Sequence, residues 1–190
     1  YKRQRKWALK YVEKVGAEST SHFLIFGGAV HRTLARIYAK KMLGSEDMSA
    51  DEAREHFVSD WADCVREAES VDYGDSGGPD ALEAKGLGMI ESFALEPLDV
   101  QVVGVEKEFR SDLVDERTGE VMGAELLGYI DAIVLDDGEL VVHEHKTAAK
   151  KWSQARLAND MQATLYQWAV GASRVQFNVL MKTVKPRVDR

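Results

Sequence analysis

One cysteine, Cys64, stands among 190 residues, so no disulfide can form within the chain and a four-cysteine cluster has no ligand set. Cys64 falls in the helical stretch DWADCVREAE and reads as a small buried thiol. No apolar run approaches the roughly 18 residues of a membrane span, and no signal-peptide pattern opens the chain, so a soluble cytoplasmic protein with no membrane partner is expected. Neither G-x-G-x-x-G nor a Walker A sequence occurs, which argues against nucleoside-triphosphate binding within the chain. Internal repeats are also lacking. The first residue is Tyr1 rather than Met, which leaves further domains open.

What is present can bury one substantial core: 45% of residues are hydrophobic, and 190 residues fit a single domain. The net charge of −7 is unevenly spread. Residues 1–45 carry 10 Lys and Arg against 2 acids, residues 46–120 carry 6 against 22, and residues 121–190 carry 9 against 8. Opposed electrostatic faces follow, with the N-terminal run, KTAAKKWSQAR at 146–156 and KTVKPR at 182–187 as candidate phosphate contacts, against the simpler reading of solvated charged faces. The acidic segment 46–120 offers a second, weaker reading as a protein-interaction surface.

Residues 2–15 space Trp7, Ala8, Tyr11, Val12 and Val15 as the apolar stripe of an amphipathic helix. Ser19 to Ser21 break it, and a second helix is predicted from about Gly28 to Leu43, with Val30, Leu34, Ile37 and Tyr38 inward and Gly44 as its stop. A third starts near Ser49 with Glu52 in a capping box and runs to about Ser70. Residues 72–80 read as a loop, and a fourth helix spans about Pro79 to Leu95, ahead of Pro97. From Val100 the pattern turns to β-branched alternation, giving a three-stranded antiparallel unit, then one helix over 155–170 and a last strand through Val175, Phe177 and Val179. The chain thus divides into a mainly helical part, 1–96, and a sheet-containing part, 97–190, of an α/β fold.

The hairpin GYIDAIVLDDGELVVHEHK, residues 128–146, is the most informative segment. A two-residue turn at Asp137-Gly138 pairs Asp136 with Glu139 and, by counting back, sets Asp131 opposite Glu144. Lys146, two residues on, shares the face of Glu144, while His143 and His145 point to the other. Opposed carboxylates about 5 Å apart repel by roughly 3 kcal/mol at an effective dielectric near 20. A hard divalent cation answers that need best, and the adjacent ammonium can hold a water or phosphate oxygen.

Asp followed by Glu-x-Lys on the next strand resembles the signature of the PD-(D/E)XK nuclease superfamily. Four segments carry the resemblance, and they are most similar to its RecB-like exonuclease branch: GGAVHRTL with His31, GYID with Gly128 and Asp131, EHKTA with Glu144, Lys146 and Thr147, and QATLY with Gln162 and Tyr166. The resemblance implies a restriction-endonuclease-like core, in which a central mixed β-sheet with an antiparallel motif hairpin is flanked by helices and preceded by an N-terminal helical region. It implies a Mg2+ or Mn2+ dependent phosphodiesterase acting on DNA, with Asp131 and Glu144 as metal ligands, the carbonyl of His145 as a third and His31 completing the set. Lys146 would position or activate the attacking water. Gln162 and Tyr166 would contact the nucleic-acid backbone or brace the lysine, with Thr147, Lys150 and Lys151 as further substrate contacts. The iron–sulfur cluster of some relatives has no ligands here. DNA repair, recombination or phage DNA processing in a bacterial or phage setting is the implied context, with recombination or helicase proteins as candidate partners.

Each residue also has a plainer reading. Asp131 and Glu144 could be solvent-facing strand residues, and Lys146 a surface partner of Glu144 worth under about 1 kcal/mol. Tyr166 could be core. Glu106 and Glu108 share a strand face and read as surface acids, with an approach to the cation as the alternative; Glu125 is similar. His143-x-His145 lacks partners at zinc-site spacing and is expected beneath a helix. A catalytically silent DNA-binding or scaffolding module of the same fold is the rival function.

Overall fold

A computed structural model describes residues 19–44, 46–183 and 188–189, with Arg5, Ala8, Val12 and Glu13 before them. The expected N-terminal helix and most of KTVKPR lie outside the described residues. A short strand β1, Thr20–Ser21, leads into helix α1, His22–Met42. Helix α2, Ala50–Glu67, is followed by strand β2, Val71–Asp72, which pairs in parallel with β1, and by a 3-10 turn at Gly74–Ser76. Helix α3 is Gly78–Ala94. Then come strands β3, Gln101–Val114, β4, Val121–Asp136, and β5, Glu139–Ala148. Helices α4, Gln154–Ala158, and α5, Met161–Val170, precede strands β6, Arg174–Met181, and β7, Val188–Asp189.

The five strands β3 to β7 form one mixed sheet in sequence order, antiparallel except for the parallel pair β5 and β6. One face is covered by α1, α2 and α3 over a core that joins Phe26, Tyr38, Phe57 and Phe93 to Ala132, Val134 and Val141. The other packs Ile130, Ile133 and Val142 against Tyr166 of α5, with Trp152, Phe177 and Val179 beside them. This is the α/β architecture expected of a restriction-endonuclease-like core.

Four expectations need correction. Helix α1 begins six residues before Gly28: Ser21 caps it, its hydroxyl accepting from the Phe23 N–H at 3.4 Å, and Gly27 and Gly28 are interior. Burial of Phe26 and Ala29 against the core outweighs the glycines' poor helical propensity. The helix expected over 155–170 is two, because Asp160 turns its carboxylate onto the N–H groups of Gln162 and Ala163 and starts α5 afresh. The loop expected over 72–80 also holds the end of β2, the 3-10 turn and the start of α3. At α2, Ser49 Oγ accepts the Glu52 N–H at 3.2 Å as the capping-box reading requires, but the Glu52 carboxylate goes to Lys40.

Buried Asp60 ties α1 to α2, accepting from the Thr33 hydroxyl at 3.0 Å and from the Arg36 guanidinium at 3.0 Å. The seam of α2 and α3 has no slack: a Cβ on Gly86 would lie 2.0 Å from Cζ of Phe57. Gly86→Ala is therefore expected to destabilise the protein by about 1–3 kcal/mol, lowering the melting temperature by roughly 2–4 °C per kcal/mol at this chain length. A thermal melt with no measurable decrease would contradict this packing.

Candidate active site

The hairpin has the register that its turn dictates. Asp137 and Gly138 both take positive φ, 50° and 82°, as a two-residue turn of this type requires, and the ladder runs from Asp136 opposite Glu139 to Ala132 opposite His143. There the ladder stops. One position further, the Asp131 carboxylate takes over: its Oδ2 accepts the His145 backbone N–H at 2.7 Å. Glu144 and Lys146 project from β5 toward α5, and Lys146 Nζ donates to Glu144 Oε1 and, at 2.7 Å, to Gln162 Oε1. Gln162 Nε2 donates to the Tyr166 hydroxyl at 2.5 Å, which itself donates to the Tyr129 carbonyl at 2.6 Å. Gln162 and Tyr166 thus brace the lysine, one of the two roles anticipated for them. From the opposite layer, His31 of α1 reaches Asp131 Oδ1 with Nδ1 at 3.2 Å.

Gly128 serves this assembly sterically. It is paired with Phe109, and a Cβ there would lie 2.3 Å from the Phe109 ring, which lies edge-on to Tyr166 with centroids 5.8 Å apart.

Electrostatics separate the two carboxylates. Burial raises the affinity of Asp131 for its proton, but the hydrogen bond from His31 and the nearby imidazoles outweigh it and hold Asp131 below the usual range. Glu144 is 2% exposed and is pushed up to about 7, by burial first and by Asp131 second, with Lys146 opposing. Burial lowers His31, yet the Asp131 hydrogen bond and the charges of Asp131 and Glu144 raise it on balance. The Tyr166 hydroxyl is pushed up to about 12, chiefly by burial, and stays a donor.

Glu144 Oε2 is buried with no hydrogen-bond partner among the described residues. An orphaned carboxylate oxygen beside a second, half-buried carboxylate fits a hard cation in its donor chemistry. Among the described residues no three His, Cys, Asp or Glu side chains are arranged so that they could hold an ion as they stand: His31 is turned onto Asp131, and Lys146 onto Glu144. Asp131, Glu144 and His31 could supply side-chain ligands, and the His145 carbonyl could add a backbone one.

The remaining residues of the sequence reading divide. Thr147 is half-buried on β5 and alternates to the face away from Lys146, in register with Leu180. Lys150 and Lys151 are exposed beyond the strand end. His143 and His145 are buried beneath α1, His143 Nδ1 lying 2.8 Å from the Tyr38 hydroxyl, as expected of that face. Glu106 and Glu108 part company. Glu108 turns to Arg110 and Tyr129, whereas Glu106, with a left-handed φ of 47°, lies near Asp131, whose charge joins burial in raising it. Glu106 lines a hollow of about 410 Å³ with His31, Arg32 and Arg36. Both arginines are engaged, Arg32 by Glu67 and Arg36 by Asp60, and their i, i+4 spacing puts them on one face of α1.

The α/β core thus carries two acids and a hydrogen-bonded lysine where the pairing of the motif hairpin ends. The family model of the PD-(D/E)XK nuclease superfamily matches residues 4–185, and the chain belongs to that superfamily. Membership implies a metal-dependent nuclease, a class that generally uses Mg2+ or Mn2+ and acts on DNA. A solved structure, that of SSO0001, is similar at 15% identity and a TM-score of 0.38, covering 97% of this chain and 73% of the other. No curated protein matches. No helix among the described residues is long and apolar enough to cross a membrane.

Proposed function

We propose that the protein is a Mg2+ or Mn2+ dependent deoxyribonuclease of the RecB-like branch, acting on DNA ends as an exonuclease in repair, recombination or phage DNA processing in the cytoplasm. The observation that carries the nuclease reading is the grouping of half-buried Asp131, buried Glu144 with its orphaned oxygen, and Lys146 fixed by Gln162. Resemblance in the four motif segments supports the branch and the exonuclease reading, and recombination or helicase proteins would be its partners.

Asp131 and Glu144 would hold the cation, with His31 and the His145 carbonyl completing its shell. When bound, the cation would polarise the scissile phosphate and favour ionisation of a water. Lys146 has a donor to spare beyond Glu144 and Gln162, and directs it to that water or to a phosphate oxygen. Gln162 fixes the direction of the ammonium, and Tyr166 fixes Gln162. His31 and the His145 N–H orient the Asp131 carboxylate.

The test is cleavage of end-labelled linear and covalently closed circular DNA, single and double stranded, in Mg2+, Mn2+ or EDTA, beside Asp131→Ala. Metal-dependent loss of linear DNA alone, absent in the variant, is the expected result. Cleavage of closed circles would overturn the exonuclease reading. Inertness toward every substrate would overturn the nuclease reading and favour a silent DNA-binding module.

A further inference from the structure

A second hollow, of about 490 Å³, opens at the other end of α1, between the N-terminal turns of α1 and α3 and the end of β6. Two ammonium groups line it, Lys182 just after β6 and Lys85 on α3. Neither has a carboxylate partner among the described residues. Lys85 donates to the Ser76 carbonyl at 3.4 Å, and Lys182 is half-buried with Nζ 4.4 Å above the Phe26 ring and 5.4 Å from that of Phe23. Two acids, Asp72 and Asp75, stand at the rim, both exposed, and Asp72 is engaged by the Gly74 N–H. Neither offsets the state of Lys182, which burial lowers first and the charge of Lys85 lowers further. A large aromatic side chain marks the mouth: Phe23 is 64% exposed.

Two ammonium groups that face one cavity and make no ion pair with the acids at its rim among the described residues can hold an anion between them, and an exposed ring beside them favours a flat apolar group. Phosphate and base are joined in that way in a nucleotide strand. We propose that this hollow is a subsite for single-stranded DNA, in which Lys182 and Lys85 hold one backbone phosphate and the adjoining base stacks on Phe23. This rests on the nuclease reading for its ligand. Phe23 and His31 are eight residues apart on one helix, about 12 Å along its axis. That is roughly three to four nucleotides of stacked strand at about 3.4 Å each. The subsite would therefore hold the strand some nucleotides away from the bond being cut.

The experiment is anisotropy of a labelled oligothymidylate, and of an abasic strand of the same length, titrated in EDTA over a range of salt. Lys182→Ala and Lys85→Ala are each expected to reduce the slope of log affinity against log salt, and the double variant by about 0.7 for the one single-strand phosphate they share. Lys182→Arg should keep the slope. Phe23→Ala should weaken the oligothymidylate about tenfold without changing the slope, and leave the abasic strand unaffected. Lys85 is exposed, so its variant reports even where Lys182→Ala fails to fold. Slopes equal to wild type in both lysine variants overturn the phosphate site, and equal affinity of the two strands for the wild type overturns the stacking. Wild-type cleavage in Mg2+, run in parallel, is a separate readout. Slope changes without cleavage keep the subsite and remove the nuclease reading; cleavage with unchanged slopes does the reverse.

Discussion

Lys146→Ala is expected to lower DNA cleavage about 10³-fold while leaving cation binding in place. The ammonium is 23% exposed and held from two sides, by Glu144 Oε1 and by Gln162 Oε1 at 2.7 Å, so it has one direction in which to act. Its removal would take away the group proposed to position the attacking water but leave both carboxylates. It also removes a competitor for Glu144, so cation affinity measured by calorimetry should be unchanged or higher. Single-turnover cleavage at saturating Mg2+ is the companion measurement. Retained cleavage would sink the assignment of the lysine, and lost cation binding would reduce it to a prop for Glu144. Gln162→Ala should cost less, since Glu144 still holds the ammonium.

Glu144→Gln is expected to stabilise the metal-free protein at pH 8. Glu144 ionises at about 7 in the fold against an ordinary 4.5, so between these values the folded chain binds the proton more tightly than the unfolded one. That contribution is fully present below about 4.5 and is lost as pH rises through about 7, a difference on the order of 3 kcal/mol. The neutral amide never incurs the loss. At pH 8 the variant should melt roughly 5–10 °C above wild type, and at pH 4.5 the two should melt alike. Adding Mg2+ at pH 8 should raise the wild-type melting temperature and leave the variant's unmoved. A variant that melts below wild type in metal-free buffer would show that Glu144 is not the strained member of the pair.

Much of this arrangement can be read from sequence because a two-residue turn leaves no freedom of register. Asp137-Gly138 fixes Asp136 against Glu139 and the ladder as far as Ala132 against His143, one position short of Asp131 and Glu144. The layer order was legible from the alternation of strand and helix periods. Less legible were the features set by tertiary contact. The start of α1 is decided by the burial of Phe26 rather than by Gly28, and the break before α5 by a single carboxylate at Asp160 within an unbroken apolar rhythm. Gln162 and Tyr166 could be placed on one helix face, but which partner they take depends on the distance from α5 to β5. The approach of Glu106 to Asp131 turns on one left-handed backbone angle that strand alternation does not foresee. Thr147 was drawn toward the site by its motif, although the strand period already sends it to the other face.

The line from Lys146 through Gln162 to Tyr166 and the Tyr129 carbonyl spans the place where β4 and β5 stop pairing. At that place the ladder gives way to a single direct tie, the Asp131 carboxylate on the His145 N–H. The gap is gauged as well by the spacing of residues 162 and 166 on α5, a little over one helical turn, about 6 Å along the axis. A helical turn is a stiff ruler. The separation between the acid on one strand and the ammonium on the other is thereby calibrated by a helix that carries neither, and inserting one residue between 162 and 166 would detune it without touching either group.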